Sequence, residues 1–173
     1  MKEMLRYGIV LALICIVASG LLAVVNSLTY PRIIAQAQAQ ESSVLLELLP
    51  QASRFEPVKS GEETIYYKGY SQNSQFVGVV FKASGKGYSS VIETMVGMKK
   101  DGQITAIKVI SSNETPGLGS RVAEPDFVAQ FTGKDIPGLI QVNAIAGATI
   151  SSRSVISSVT KKAEEIKELI KNE

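Results

Sequence analysis

Residues 143–152 read Asn-Ala-Ile-Ala-Gly-Ala-Thr-Ile-Ser-Ser. Gly147 and Ala148 present almost no side chain, so a large planar ligand or its phosphate can approach the backbone there. Thr149 follows with a hydroxyl, then Ile150, and Ser151 or Ser152 is suited to cap the helix that comes next. The free N–H groups and positive dipole end of a helix start favour a bound phosphate, and Arg153 adds a cation for a charge-assisted hydrogen bond. Small residues and serines before a helix also serve ordinary capping, and spacing alone leaves both readings open. A second string, Glu114-Thr115-Pro116-Gly117-Leu118-Gly119, has two glycines that permit close backbone approach, although a plain turn uses the same residues.

What is missing narrows the chemistry. The chain has no histidine, which excludes His-based metal sites, His-ligated haem and Ser-His-Asp or Cys-His catalysis. Its one cysteine, Cys15, lies in an apolar run, so an iron–sulfur cluster cannot be built from this chain alone and no intramolecular disulfide is possible. No metal ligand set and no general acid–base pair stand out. A redox role therefore requires an organic cofactor or one shared with a partner. Hydrophobic residues make up 45% of the 173, and the net charge is only +2 with no Lys/Arg block, which speaks against disorder and against nucleic-acid binding.

These strings must be positioned by the elements around them. Residues 7–31 carry no charge, and 9–25 are almost continuously apolar, the composition of a membrane-spanning helix. Lys2 and Arg6 flank its short N-terminal side, which places that side in the cytoplasm and the rest of the chain outside, and Tyr7 and Tyr30 sit at the two interfaces. A cleavable signal ending at Ala18-Ser19-Gly20 is the alternative, but the apolar run continues to Val25, too long for such a segment. Residues 1–30 thus read as an anchor, 31–50 as a helical stalk stopped by Pro50, and 51–173 as an extracytoplasmic domain. Within that domain, 64–70, 75–83, 91–99 and 104–110 have strand character, with Asp101-Gly102 turning the last two into a hairpin. Residues 125–131 predict a short helix opened by proline. Val155, Val159, Ala163, Ile166 and Ile170 recur at helical spacing, with charged residues filling the other face. The fold class is α+β, an antiparallel sheet flanked by helices behind one transmembrane helix.

Gly147-Ala148-Thr149-Ile150-Ser151-Ser152 resembles the flavinylation motif of the FMN-binding domain family, which includes the RnfG subunit of Rnf complexes and the related NqrC subunit of sodium-pumping quinone reductases. In that family the motif runs Asp-x-x-Ser/Thr-Gly-Ala-Thr, and its last Thr forms a phosphoester with FMN. The resemblance implies covalent FMN on Thr149, with Asn143 standing in place of the usual Asp and Ala146 in place of Ser or Thr. The Glu114–Gly119 string is similar to the loop that follows the central hairpin in RnfG-type proteins, and Gly85-Lys86-Gly87-Tyr88 to the family's glycine–tyrosine turn before it. The resemblance runs in the same order over nearly the whole chain. It implies that Tyr88, Glu114, Thr115, Gly117, Leu118 and Gly119 join Gly147, Ala148, Thr149, Ile150 and Ser151 around the flavin, with Leu118 on a ring face and Thr115 bonding ring or ribityl oxygens. It implies a single-pass subunit of the prokaryotic cytoplasmic membrane, matured by a flavin transferase. Beside the other membrane subunits of an Rnf-type complex, it carries electrons between ferredoxin and NAD coupled to ion transport. In isolation such a chain is an electron carrier. An NqrC-like subunit, a non-redox anchored binding module and a structural subunit without flavin are the alternatives.

The charge pattern of the first segment generates a topology prediction. A reporter that works only outside the cytoplasm, fused after Glu173, should be active; activity of a cytoplasm-only reporter at that position would reverse the orientation.

Overall fold

The computed structural model describes residues 2–61 and 63–171; the side chain of Lys2 and residue Glu173 lie outside that description. The chain divides into two compact units, Met1–Ser42 and Ser43–Glu173. The first is helical. Helix α1 (Lys2–Leu48) runs without a break through Pro31. Its stretch Arg6–Ile33 is long and apolar enough to cross a membrane, and its large side chains, from Tyr7 and Ile9 to Tyr30 and Ile33, are all exposed. A helix with apolar residues on every side finds a solvent for them in lipid.

The second unit is an antiparallel sheet of five strands in sequence order: β1 (Arg54–Ser60), β2 (Glu63–Tyr70), β3 (Phe76–Lys86), β4 (Val91–Lys99) and β5 (Ile104–Ser111). The expected hairpin is β4–β5, and Gly102 supplies the positive φ of 92° that its turn needs. Strand β1 has no counterpart in the sequence reading. Its Pro57 and charged residues look like loop, yet it is an edge strand, where proline is tolerated because one side of the backbone needs no partner. Strand β3 runs three residues past the expected end. Gly85, which the resemblance placed in the glycine–tyrosine turn, lies inside the strand: a Cβ there would lie 2.5 Å from the Ser154 hydroxyl, so its absence lets a helix cross close to the sheet.

That helix is α3 (Thr149–Ile170), and its Val155, Val159, Ala163, Ile166 and Ile170 are all buried against the inner face of the sheet, among Val79, Phe81, Ile92, Val96 and Ile104. Short helical turns between β5 and α3, including α2 (Pro125–Val128), close one end of this core with Phe127 and Phe131 edge-to-face at 5.5 Å. The outer face of the sheet is covered too. Leu45, Leu48, Leu49 and Ala52 form a second cluster with Val80 and Met95, which is why the middle of β3 and β4 is buried on both faces. The Thr105 hydroxyl donates to the Leu48 carbonyl, and Lys108 pairs with Glu47 at 2.5 Å.

Gly97 is the contact point of this outer layer: a Cβ on it would run into the Leu48 carbonyl oxygen and the Thr105 hydroxyl. Gly97→Ala should therefore destabilise the domain by about 1–3 kcal/mol, as overpacking does, lowering the midpoint of thermal unfolding. An unchanged midpoint would show that the outer layer gives way freely.

Candidate functional site

Three segments converge at one end of the sheet: the β3–β4 turn, the loop after β5, and the start of α3. They are held by one side chain. Glu114 is buried, 6% exposed. Its Oε1 accepts hydrogen bonds from the Ser89 N–H (2.9 Å), the Ser90 N–H (2.8 Å) and the Ser90 hydroxyl (3.2 Å). Its Oε2 accepts from the Tyr88 N–H (3.2 Å) and the Ser151 hydroxyl (2.6 Å). The carboxylate fits because glycines flank it: a Cβ on Gly87 would lie 2.6 Å from Oε1, and one on Gly119 2.5 Å from Oε2. Burial pushes the Glu114 pKa up, but the hydrogen bonds from Ser151, Ser90, Ser89 and Tyr88 outweigh it and hold the value at about 2, below the ordinary 4.5.

Beyond this knot the segments enclose a cleft of about 380 Å³. Ten of the eleven residues expected around a ligand line it. Tyr88 comes from the first segment, Glu114, Thr115, Leu118 and Gly119 from the second, and Gly147, Ala148, Thr149, Ile150 and Ser151 from the third. The eleventh, Gly117, does not line it. Gly117 has a positive φ of 74° and open space where a Cβ would be, so its role is to turn the backbone, with its N–H on the Ser120 hydroxyl at 3.0 Å. Arg153 is exposed and does not line the cleft. Apolar side chains edge the opening, with Tyr88 72%, Leu118 51% and Ile150 56% exposed. Gly147 (φ 82°) brings the chain to the helix with Leu118 Cδ2 only 3.6 Å from where its Cβ would be.

The helix start differs from the expected capping. Neither Ser151 nor Ser152 is the cap: α3 begins at Thr149, Ala148 is the residue before it, and no side chain caps the helix. Both serines fall inside the first turn on its buried face. Ser151 donates to Glu114, while Ser152 donates to the Ala148 carbonyl (2.9 Å) and accepts from the Ile145 N–H (3.0 Å). The first backbone hydrogen bond at the helix start runs from the Ser152 N–H to the Ala148 carbonyl, so the N–H groups of Thr149, Ile150 and Ser151 precede it and lie at the cleft. Thr149 is exposed, and its hydroxyl has no hydrogen-bond partner among the described residues. Of the three hydroxyls here, it alone is available.

The sequence reading missed Ser89 and Ser90, which bind the Glu114 carboxylate; serines in a turn carry no signal that distinguishes them. Among the described residues no group of three or more His, Cys, Asp and Glu comes together as a metal site.

Residues 87–164 match the FMN-binding domain family, and residues 1–48 match the RnfG N-terminal region. The chain is 32% identical to the G subunit of the ion-translocating oxidoreductase complex of Methanosarcina acetivorans, over 91% of this chain and 92% of that protein. It is 31% identical to the G subunit of the Na(+)-translocating ferredoxin:NAD(+) oxidoreductase complex of Acetobacterium woodii, over 98% and 95%. The crystal structure of Shewanella oneidensis NqrC shares the fold, with a TM-score of 0.55 at 21% identity over 72% of this chain and 74% of that one.

The Glu114 knot gives a pH prediction. A carboxyl whose folded pKa is lowered stabilises the fold above its unfolded value, and that stabilisation is lost as pH falls from the ordinary 4.5 towards about 2. Thermal melts of the detergent-solubilised chain at several acidic pH values should show wild type losing more stability over that window than Glu114→Gln, in which the group no longer titrates. Parallel losses in the two proteins would contradict the lowered pKa.

Proposed function

The chain belongs to the family of G subunits of ion-translocating oxidoreductase complexes, and from that membership we propose that it is the flavin-carrying electron-transfer subunit of an Rnf-type ferredoxin:NAD oxidoreductase. In this reading α1 anchors it in a prokaryotic cytoplasmic membrane, the domain faces outside, and FMN is joined covalently to Thr149 by a flavin transferase. One observation carries the reading: the two glycine-containing strings, about 30 residues apart in sequence, meet around one cleft, and the unengaged hydroxyl of Thr149 in it stands on the first turn of a helix.

The residues suit the group. The Thr149 oxygen is exposed and unengaged, so it can form the phosphoester when the transferase presents the flavin phosphate activated by a leaving group: the new O–P bond replaces the bond to that group, and the hydroxyl proton leaves with it. The first-turn N–H groups of Thr149, Ile150 and Ser151, with the helix dipole, favour the phosphate oxygens. The apolar side chains of Leu118, Ile150 and Tyr88 suit the faces of a planar ring, and Thr115 offers a polar contact at the same wall. When bound, FMN supplies a redox centre able to take and give single electrons, which a chain without metal ligands does not itself possess. The chain's own contribution is to tether, orient and surround it. Donor and acceptor belong to neighbouring subunits, so the protein is expected to purify with multi-span membrane partners.

Thr149→Val keeps the side-chain shape and removes only the oxygen. The variant should fold and insert but carry no covalent flavin, and electron transfer through the complex should be almost abolished. Peptide mass mapping after co-expression with the transferase checks this. An FMN-sized mass on a peptide lacking residue 149, or one retained in Thr149→Val, would show that another residue is the acceptor.

A further inference from the structure

Glu114 lines the cleft, yet both of its oxygens are engaged by the protein. The donors themselves define its state. The N–H groups of Tyr88, Ser89 and Ser90 can only donate, and they address both oxygens, so the carboxyl has no good place for a proton and is an ionised acceptor. It is buried, flanked by Gly87 and Gly119, and sits in a wall shared with the apolar side chains of Leu118 and Ile150. No lysine or arginine pairs with it among the described residues; every partner is a neutral N–H or O–H. Five dipoles stabilise the charge in place without cancelling it. A full negative charge is therefore fixed at the edge of a cleft whose walls screen it poorly.

We propose that Glu114 is a positioning residue with a second role: it fixes the turn, the loop and the start of α3 around the cleft, and its charge lowers the reduction potential of the flavin held there. The proposal rests on the reading of the cleft as the FMN site. Its physical basis is simple. Each electron that enters the ring without a proton adds one negative charge, and a fixed anion beside the ring opposes that addition. The same side chain thus ties the site's shape to its electrostatics, and neither can change alone. Its acidity adds support: with a pKa of about 2 the charge is present at neutral pH.

The test uses the full chain, co-expressed with a flavin transferase, and reads the potential of the bound flavin by titration with dithionite in the presence of mediators. Wild type is checked first for covalent FMN; if none is taken up, the proposed function fails before any potential is read. With FMN bound, Glu114→Gln keeps the shape and one acceptor oxygen but removes the charge, and its potential should move to more positive values. Ser151→Ala removes one donor and keeps the charge, so its potential should stay in place or move more negative. A loaded Glu114→Gln with the wild-type potential would overturn the inference. A positive shift of equal size in Ser151→Ala would also overturn it, because loosening of the cleft would then be enough. If Glu114→Gln does not fold, Glu114→Asp decides together with Ser151→Ala. Asp retains the charge on a shorter stem and loses some of the bonds, so a potential at or below that of wild type supports the electrostatic role, and a positive shift removes it.

Discussion

A carboxylate taken out of water must have its oxygens satisfied, and Glu114 meets that demand with donors from two other segments of the chain. The turn at residues 88–90 is held because three successive N–H groups point at one anion. The loop after β5 is held because the anion belongs to it. The start of α3 is held because Ser151 completes the set. Gly87 and Gly119 are the steric condition for this arrangement, since either would collide with the carboxylate if it carried a side chain. The cleft is the space left over when these three segments are tied at a common point, and its form depends on that knot more than on any contact across its opening.

The knot needs a firm base, which the sheet and α3 provide. The sheet is covered by α3 on one face and by residues 44–52 on the other, so β3 and β4 cannot shift without disturbing two hydrophobic clusters. The turn that carries Tyr88 joins those two strands, and the loop that carries Glu114 leaves β5 next to them. Rigid strands thus deliver the mobile type of element, the loop, to a defined place. Gly85 extends the same logic to the helix: by allowing Ser154 close to β3 it sets how near the start of α3 stands to the turn.

Much of this was legible in the chain. Alternation and a turn signal revealed the β4–β5 hairpin, and the apolar period from Val155 to Ile170 revealed which face of α3 is buried, because burial is what those patterns record. The membership of the cleft was legible by resemblance, and the lining follows it except at Gly117. Strand β1 was not legible, since an edge strand with Pro57 and polar neighbours buries too little to show a period. The serine cap was misread for a related reason. Local sequence offers Ser151 and Ser152 to the helix end, but their hydroxyls answer to Glu114, Ala148 and Ile145, two of which are several residues away or more. Long-range hydrogen bonds leave no trace in local composition.

Which hydroxyls of the first turn of α3 are engaged follows in part from the same period that builds the core. Successive residues of a helix are turned by about a quarter to a third of a revolution. Ser152, Val155 and Val159 share the face against the sheet, and Ser151 lies beside them facing Glu114. Thr149 flanks that face on the other side from Ser151, and Ile150 points away from it; both are exposed. The two buried serines are committed to internal bonds, while the exposed threonine is under no such demand and stays free. A threonine at 150 would also be exposed but would stand a further step of arc from Gly147. The buried face of α3, set by the five apolar residues further along the helix, takes in Ser152, the Glu114 carboxylate engages Ser151, and Thr149 is left unengaged.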